Sequence, residues 1–380
     1  MYFQQRYLEE SKTFESTSGL DIIDLPNKGL LSGIELRVWG TCGTGADKPD
    51  VWLHDRITKI ELVVNGSKVV KSLTGDQLLA DMLYKKTQLG PHDFKNMSAA
   101  SCEEFFYINL GRHYHDVDYM LDLSKVTDPE LRIEYDFTKT SQNGWTNGVA
   151  MSSAPYRSTI CHLLRDAPFE PKGYIKTSEL YRFTGGASKK ENMLIPRGPV
   201  YSNLYVQSRY KDNGIGYNLD KLELNFNNDA IIPIRVGPTE LASEIARMYG
   251  LFTVSQQFSA AGGQAYPFPI EQGKLVNTMI GLVDAMEAAL DLWGASGVVP
   301  LRKTSDGVTP VTGNVNVNIT CVGIWPFSVS AIPYFWPWDE RTWVDSSLLG
   351  DFWVRYEGNA SMSSNVVVKL LGDEVVTKYE

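Results

Sequence analysis

Apolar and polar residues alternate in short runs along most of the chain. Residues 34–38, 131–137, 222–226 and 315–320 each carry apolar side chains at every second position, which is the pattern of a half-buried strand. The gaps are filled by turn-forming residues, with 32 Gly and 18 Pro in the chain, and helical segments do not alternate regularly with strands as in βαβ units. The pattern predicts a mainly antiparallel β protein, built as a sandwich or a barrel.

Three segments have helical spacing instead. Residues 76–86 and 239–250 place apolar side chains at steps of three and four, which predicts two short helices lying across a sheet. Residues 275–293 keep this spacing for longer and predict the longest helix of the chain, although Gly281 weakens it slightly.

The chain contains an internal repeat. Residues 57–83 align with residues 219–245 at a constant offset of 162 and without a gap. The identical pairs are Lys59 and Lys221, Glu61 and Glu223, Leu62 and Leu224, Asn65 and Asn227, Gly75 and Gly237, Leu79 and Leu241, and Ala80 and Ala242. Asn accepts positive φ, so each Asn marks a tight hairpin. The repeat predicts two β-sandwiches in tandem, with the boundary between 138 and 176.

Composition and charge restrict the function. Of the 380 residues 43% are hydrophobic and 21% charged, which excludes wholesale disorder. The net charge of −9 has the wrong sign for a surface built around phosphates. Lys189 with Lys190, and Arg209 with Lys211, are too sparse for a nucleic-acid groove. We therefore expect no sequence-specific nucleic-acid binding.

The cysteines and the N-terminus indicate the compartment. Cys42, Cys102, Cys161 and Cys321 form no CxxC pair, so neither a zinc ribbon nor a disulfide framework is predicted, and free thiols are expected. Residues 1–10 lack the apolar run of a signal peptide, and no apolar stretch of 18 residues occurs. We expect a soluble intracellular product that is not secreted through a signal peptide.

Candidate catalytic and metal-binding residues are few. His113 and His115 would share one face of a strand and could begin a cupin-like metal site, but further ligands are missing around them. No GxSxG elbow occurs, and Glu103 and Glu104 would point to opposite faces of a strand. The sequence predicts no catalytic residue, no cofactor and no metal, and the chain is not expected to be an enzyme.

Two sandwiches, each with a hairpin followed by a short helix, resemble the double jelly-roll major capsid proteins of tailless icosahedral viruses. This lineage includes adenovirus hexon and the membrane-containing phages. The resemblance rests on the strand at 31–39, the strand and hairpin at 55–66, the helix start at 73–79, and their echo in the second half. It implies an all-β fold of two tandem eight-stranded jelly rolls with short helices and long loop insertions.

The resemblance also implies a division of the chain. Residues 1–28 would form an N-terminal arm, 29–160 the first jelly roll, and 176–380 the second jelly roll, with insertions around 256–306 and 331–351.

A capsid function follows from the resemblance as an expectation. The chain would form homotrimers with a pseudo-sixfold outline, and these would tile an icosahedral shell in the virion after assembly in the host cytoplasm. Minor capsid or penton proteins, and an internal membrane reached through the N-terminal arm, would be further partners. The alternatives are a two-domain jelly-roll enzyme or carbohydrate-binding protein acting on glycans, and a minor capsid or spike protein.

Aromatic residues concentrate in one proline-rich stretch near the C-terminus. Its prolines resist regular sheet pairing, and a monomer would expose many of its rings. The predicted subunit-interface residues are Trp325, Tyr334, Phe335, Trp336, Trp338 and Trp343.

Overall fold

The computed structural model describes most of the chain. Side chains are described within residues 1–43, 51–87, 101–144, 150–210, 213–255 and 322–378, with a few single positions between these ranges, while the strands between 256 and 319 are described by their backbone.

The first half of the chain is mostly strands, interrupted by two helices. The helices are α1 (Leu53–Arg56) and α2 (Gly75–Tyr84), and one 3-10 turn spans Leu123–Lys125. The strands are β1 (Tyr2–Thr13), β2 (Ser18–Asp24), β3 (Leu30–Thr41), β4 (Ile57–Val64), β5 (Lys68–Leu73), β6 (Lys95–Asn96), β7 (Ser101–Asn109), β8 (Leu121–Asp122), β9 (Glu130–Asp136) and β10 (Tyr156–Arg165).

The second half repeats this composition and adds an insertion. Its helices are α3 (Ile215–Asn218) and α4 (Pro238–Tyr249), and 3-10 turns span Glu340–Thr342 and Ser346–Leu348. The strands are β11 (Tyr174–Thr184), β12 (Lys190–Leu194), β13 (Val200–Arg209), β14 (Leu219–Phe226), β15 (Ile231–Val236), β16 (Phe252–Ala261), β17 (Gln264–Pro267), β18 (Ile270–Glu271), β19 (Thr278–Leu282), β20 (Glu287–Leu290), β21 (Val298–Thr304), β22 (Asn314–Gly323), β23 (Trp325–Pro326), β24 (Val329–Ala331), β25 (Val344–Asp345), β26 (Phe352–Gly358) and β27 (Val367–Val376).

The two halves share one sheet topology. In the first half the strand orders are β1-β10-β3-β7 and β2-β9-β4-β5, and in the second half they are β11-β27-β13-β24 and β12-β26-β14-β15. Each half thus contributes two sets of four strands, arranged in the same order along the chain. Two of the sheets continue from one half into the other, because β5 pairs with β11 and because β7 is followed in its sheet by β6, β16, β22 and β19. The fold is two eight-stranded β-sandwiches in tandem, as the sequence repeat predicts.

The repeated segment has the same elements in both copies. At an offset of 162 residues, β4 matches β14, and the short α1 and α3 that precede them match as well. After the hairpin the offset is 163, because the second hairpin loop is one residue longer: Lys68 at the start of β5 corresponds to Ile231, and Gly75 at the start of α2 corresponds to Pro238. The register without a gap that the sequence predicts therefore holds only as far as the hairpin. Asn65 and Asn227 both have positive φ, 52° and 56°, as their hairpins require. Helix α2 begins with a capping box, in which the Thr74 amide donates to Gln77 Oε1 at 3.0 Å. Helix α4 begins with Pro238 instead.

The predicted long helix over 275–293 is wrong where the structure describes it. Thr278–Leu282 and Glu287–Leu290 are strands, and the rest of the segment lies outside the described residues. Strand β19 pairs antiparallel with β22, with Ile280 opposite Ile319. Pairing in the sheet, which no local periodicity records, decides the conformation here.

The expectation of free thiols is also wrong, because Cys42 and Cys102 form a disulfide. They are 60 residues apart in sequence, but pairing of β3 with β7 places Cys102 opposite Gly40. Cys161 is a free, buried cysteine, and the side chain of Cys321 lies outside the described part. The spacing of the cysteines in the sequence did not reveal the disulfide, because the pairing of two strands brings the two residues together.

Residues 1–28, expected to form an arm, contain two strands of the sandwich. Strand β1 pairs along β10, with Tyr2 opposite Arg165, and β2 pairs along β9, with Asp24 opposite Glu130. These strands occupy the places that β11 and β12 take in the second half. No helix among the described residues is long and apolar enough to cross a bilayer.

Candidate subunit interface

The two sandwiches meet along the repeated segment of the first half. Strand β5 pairs in parallel with β11, with Lys71 opposite Thr177 and Ser72 opposite Ser178. This pairing joins a sheet of the first half to a sheet of the second. Helix α2 lies in the same junction, and all ten of its residues are buried.

A buried ionic network crosses this junction. From the first half, Lys71 Nζ lies 2.7 Å from Asp81 Oδ2 and donates to Thr177 Oγ1 of the second half at 2.9 Å. Lys85 Nζ lies 2.8 Å from Asp81 Oδ1 and 3.3 Å from Asp373 Oδ1 of the second half. Buried charges of this kind are stable only when each has partners, so the network ties the two halves to one relative position.

The pKa values in the network follow from burial and from the two carboxylates. Burial lowers the pKa of Lys71 to about 8. Burial also opposes the charge of Lys85, but Asp373 and Asp81 outweigh it and raise the pKa of Lys85. The pKa of Asp81 is lowered because Lys71 and Lys85 outweigh its desolvation. Lys71, Lys85 and Asp81 are therefore charged at neutral pH, and their opposite charges hold the geometry of the network.

Neutral contacts extend the junction beyond the charges. Gln77 Nε2 donates to Gln207 Oε1 of the second half at 3.0 Å, and the Tyr84 hydroxyl donates to the Val329 carbonyl at 2.8 Å. The Tyr84 ring also packs on Tyr205, with ring centroids 5.3 Å apart. Helix α2 is therefore a docking element between the halves, with polar and apolar contacts on both sides.

The equivalent surface of the second half is open. In helix α4 only Leu241 and Ile245 are buried. On β15, Ile231 and Ile232 are 51% and 40% exposed. We call the exposed side of β15 and α4 the α4 face, and its buried counterpart on β5 and α2 the α2 face.

The six aromatic residues predicted at an interface divide between the core and the surface. Trp325 and Phe335 are buried within the chain, and Tyr334 and Trp336 are each 40% exposed. Trp338 and Trp343 are half-buried. Only part of the predicted set is therefore accessible to another molecule.

The accessible rings lie beside the α4 face. Trp336 packs edge-on against Trp338, with centroids 5.5 Å apart, and Trp338 packs against Tyr249 of α4 at 5.2 Å. Lys86 Nζ lies 3.7 Å from the centroid of the Trp338 ring, a cation–π contact from the first half. Tyr334 packs on Phe226 of β14. The aromatic stretch thus extends the α4 face with large, partly exposed rings.

The histidines are not arranged as the sequence predicts. Residues 111–118 form turns instead of a strand, and His115 has a φ of 55°. The structure pairs His115 with His162, with Nε2 and Nδ1 3.1 Å apart, and not with His113. Among the described residues no group of three or more His, Cys, Asp or Glu is placed to hold a metal ion.

A second buried pair joins His54 of α1 to Glu104 of β7. His54 Nδ1 lies 3.0 Å from Glu104 Oε1. Burial raises the pKa of Glu104, while Glu104 and Asp55 outweigh burial and raise the pKa of His54. Glu103, the sequence neighbour of Glu104, instead accepts from Arg37 at 2.6 Å, so the two carboxylates diverge as expected.

Comparison with known proteins identifies the fold. No family model matches the chain, and no curated protein is similar to it in sequence. The crystal structure of the STIV MCP is 13% identical and covers 100% of this chain and 98% of its own, with a TM-score of 0.61. PBCV-1 VP54, fitted into a reconstruction of the virophage Sputnik, is 9% identical over 99% of this chain and 95% of its own, with a TM-score of 0.56.

The chain has the double jelly-roll fold. The major capsid protein P2 of bacteriophage PM2 is a further structure of this kind, 11% identical over 98% of both chains, with a TM-score of 0.50. The likeness takes in both jelly rolls, so the tandem arrangement as well as the single sandwich is shared.

Sequence reasoning missed the residues that build the junction. Asp81 and Lys85 are four apart on a helix, which in sequence looks like an exposed ion pair. Lys71 takes a polar position in an alternating strand. Alignment without a gap gives Pro233 and Ser243 as the equivalents of Lys71 and Asp81, but the structure places Ile234 and Glu244 there. The repeat therefore held no signal for the buried charges.

Proposed function

We propose that this chain is a viral major capsid protein that assembles as a trimer of double jelly rolls and has no catalytic role. The observation that carries the proposal is the extent of the fold. The likeness to the STIV MCP covers 100% of this chain, and both halves have the same strand order. A chain with two similar halves can place six similar domains in a threefold ring, which supports a pseudo-hexameric subunit.

The α4 face is the proposed contact between subunits. Within the chain, the second jelly roll covers the α2 face of the first. In a ring of three chains, the first jelly roll of a second copy would cover the α4 face in a similar way. Such a head-to-tail contact forms a closed ring when the rotation from one copy to the next returns to the first copy after three copies. Exposed Ile231, Ile232 and Trp336 supply apolar area for it.

The remaining expectations about assembly follow as parts of the same proposal. The virion capsid is the proposed location, with assembly in the host cytoplasm, and neighbouring trimers are the proposed partners. We place the boundary between the jelly rolls within 166–173, because β10 ends at Arg165 and β11 begins at Tyr174. Strands β1 and β2 would then belong to the first jelly roll.

The oligomeric mass tests the proposal directly. Light scattering coupled to size exclusion should give a homogeneous species near three times the 42.5 kDa of the chain. Ile232→Asp, which puts a charge on the α4 face, should shift this species towards monomer. The matched control is Leu194→Asp, at a position 61% exposed on β12, which lies at the opposite edge of the sheet from β15. A monomer at every concentration, with the far-UV spectrum of a folded β protein, would contradict the proposal.

A further inference from the structure

A polar cavity lies where the two jelly rolls meet. Its volume is about 360 Å³. The first half contributes His54, Asp76 and Lys139 to its lining, and the second half contributes Arg209 and Lys369. Ligand sites commonly lie between domains, where charged residues from two separate parts of the chain meet.

Two of the cations share one face of a sheet. Arg209 and Gln207 are two positions apart on β13, and Lys369 of β27 lies directly opposite Gln207. Side chains two apart on a strand, and those of directly opposed residues, point to the same side of a sheet. Arg209 and Lys369 are therefore diagonal neighbours with like charge, an arrangement that costs stability unless negative charge lies nearby. Asp76 supplies one negative charge against these two positive charges.

Against the effect of burial, Lys369 and Arg209 both interact electrostatically with Asp76 and help to lower its pKa, but neither forms a direct ion pair with it. Arg209 Nη1 is buried and has no hydrogen-bond partner in the described part of the chain. Neither Arg209 nor Lys369 belongs to any ion pair between described residues. Buried donors without partners are rare in proteins and call for an explanation.

The two acids of the cavity are already engaged. Asp76 accepts from the Gln77 amide at 3.0 Å and from Gln207 Nε2 at 2.8 Å, besides the Thr74 hydroxyl. Asp55 accepts from the Trp52 amide at 3.0 Å. Asp55 Oδ2 also lies 3.8 Å from His54 Nε2, and Asp76 offsets part of the charge of Lys369 and Arg209. Three cations against two carboxylates still leave the lining positive in a chain whose net charge is −9.

We propose that this cavity binds a tetrahedral oxyanion, as inorganic phosphate or as the phosphate of a phosphomonoester, between Arg209, Lys369 and Lys139. The guanidinium of Arg209 offers donors in the fork geometry that phosphate accepts, and Lys369 adds a point charge from the next strand. Because Lys139 belongs to the first half and the other two to the second, the bound anion would strengthen the junction. The proposal does not depend on assembly into a shell.

Thermal unfolding and calorimetry of the full chain test this inference. Inorganic phosphate at constant ionic strength, set with sodium chloride, should raise the Tm of the wild type, since a ligand of the folded state stabilises it. Arg209→Met and Lys369→Met should each weaken phosphate binding about tenfold or more, the usual effect of losing a charged hydrogen-bond partner. Lys12→Met, which removes an exposed lysine paired with Glu9, is the matched control and should bind like the wild type.

The anion-free proteins give an independent readout. Without phosphate, Arg209→Met should change the Tm little, because it removes a repulsion with Lys369 and an attraction to Asp76 together. Adenosine monophosphate as a second probe separates the sources: tighter binding than phosphate indicates a phosphomonoester, and equal binding indicates free phosphate, each in support of the site. Equal phosphate effects on the wild type and both cavity variants, or no binding by the wild type, would overturn the inference.

Discussion

The two copies of the repeat have the same elements but opposite exposure. In the first copy, every residue of α2 is buried, and β5 pairs with β11 of the other half. In the second copy, only Leu241 and Ile245 of α4 are buried, and β15 carries isoleucines that are half exposed. The local sequence pattern therefore determines whether a segment is a strand or a helix. The neighbouring jelly roll determines whether the outer side of that strand or helix is buried or exposed.

The sequence differences between the copies follow this difference in environment. Once the longer hairpin loop of the second copy is allowed for, the positions of the buried charges Lys71, Asp81 and Lys85 hold Ile234, Glu244 and Met248. Glu244 is 42% exposed in its side chain and pairs with Arg247 on the same helix. The two buried lysines of the junction are therefore not kept, and the acidic position is kept but exposed.

The sharpest break of the comparison is a charge placed on the equivalent strand of each copy. Val70 of β5 is fully buried, and Ile232 of β15, the strand that takes the same place in the second jelly roll, is 40% exposed. Val70→Asp should cost about 4 kcal/mol or more in the free energy of unfolding, because it buries an unpaired charge. Ile232→Asp should change that free energy by less than about 0.5 kcal/mol.

Urea unfolding of the dilute, unassembled chain measures both values. Because the α4 face is solvated in the single chain, Ile232→Asp should act on association alone, visible as a lower trimer fraction. Equal losses of stability in the two variants would mean that β15 is as deeply packed as β5.

Replacement of Asp81 measures how much the ionic network contributes to stability, in comparison with the equivalent position of α4, which belongs to no such network. Asp81→Ala leaves Lys71 and Lys85 buried without their shared carboxylate, and should cost about 3–5 kcal/mol. Glu244→Ala, at the equivalent position of α4, removes an exposed carboxylate that pairs with Arg247 and should cost less than about 1 kcal/mol. Chemical denaturation followed by tryptophan fluorescence gives both. A small effect of Asp81→Ala would show that the network does not hold the junction.

Substitutions of neighbouring aromatic residues distinguish a role in the core of one subunit from a role in the contact between subunits. Phe335→Ala should destabilise the fold by about 3–5 kcal/mol, because Phe335 is fully buried. Trp336→Ala combined with Trp338→Ala should weaken trimerisation by about 2–4 kcal/mol for each buried anchor. The readouts are the trimer fraction against concentration and the far-UV circular dichroism. A trimer unchanged at nanomolar concentration would place these rings in the core of one subunit.

Mild acid should have the smallest effect on stability, and it acts on histidines that belong to neither the α2 face nor the α4 face. Burial, with a contribution from His115, lowers the pKa of His162 from 6.5 to about 4, and burial lowers that of His115. The unfolded chain then takes up these protons first, so stability should fall as the pH drops from about 6.5 to 4. His54, with its raised pKa, acts with the opposite sign and at higher pH.

His162→Gln should flatten the pH dependence between 6.5 and 4 while leaving the trimer at pH 7.5 unchanged. Melting temperatures of the two proteins across this range check the prediction. Parallel pH profiles would rule out His162 as the group that titrates. Glu35, whose Oε2 lies 3.9 Å from His162 Nε2, would then be the next residue to replace.

Much of the fold could be predicted from the sequence because its information is local. Alternation located the strands, helical spacing located α2 and α4, and the offset of 162 residues located both hairpins through Asn65 and Asn227. The errors arose where a distant partner decides. The β19 strand depends on β22, and the disulfide between Cys42 and Cys102 depends on the pairing of β3 with β7.

The candidate interface was less predictable than the fold for a related reason. An aromatic residue looks the same in sequence whether it fills a core, as Phe335 does, or remains partly exposed, as Trp336 does. The buried charges of the junction are likewise hidden in the sequence. Lys71 resembles an exposed polar position of a strand, and Asp81 with Lys85 resembles an exposed ion pair on a helix. Only the tertiary arrangement separates these cases.

Hydrogen–deuterium exchange at two concentrations tests the central claim most directly. Amides of 75–84 in α2 should be protected in dilute and concentrated protein alike, because the second jelly roll of the same chain covers them. Amides of 231–236 and 238–249, on the α4 face, should exchange faster in dilute protein and gain protection as the trimer forms. If the α4 face were as protected as α2 in the monomer, or gained nothing on assembly, the claim that a second copy covers it would be contradicted.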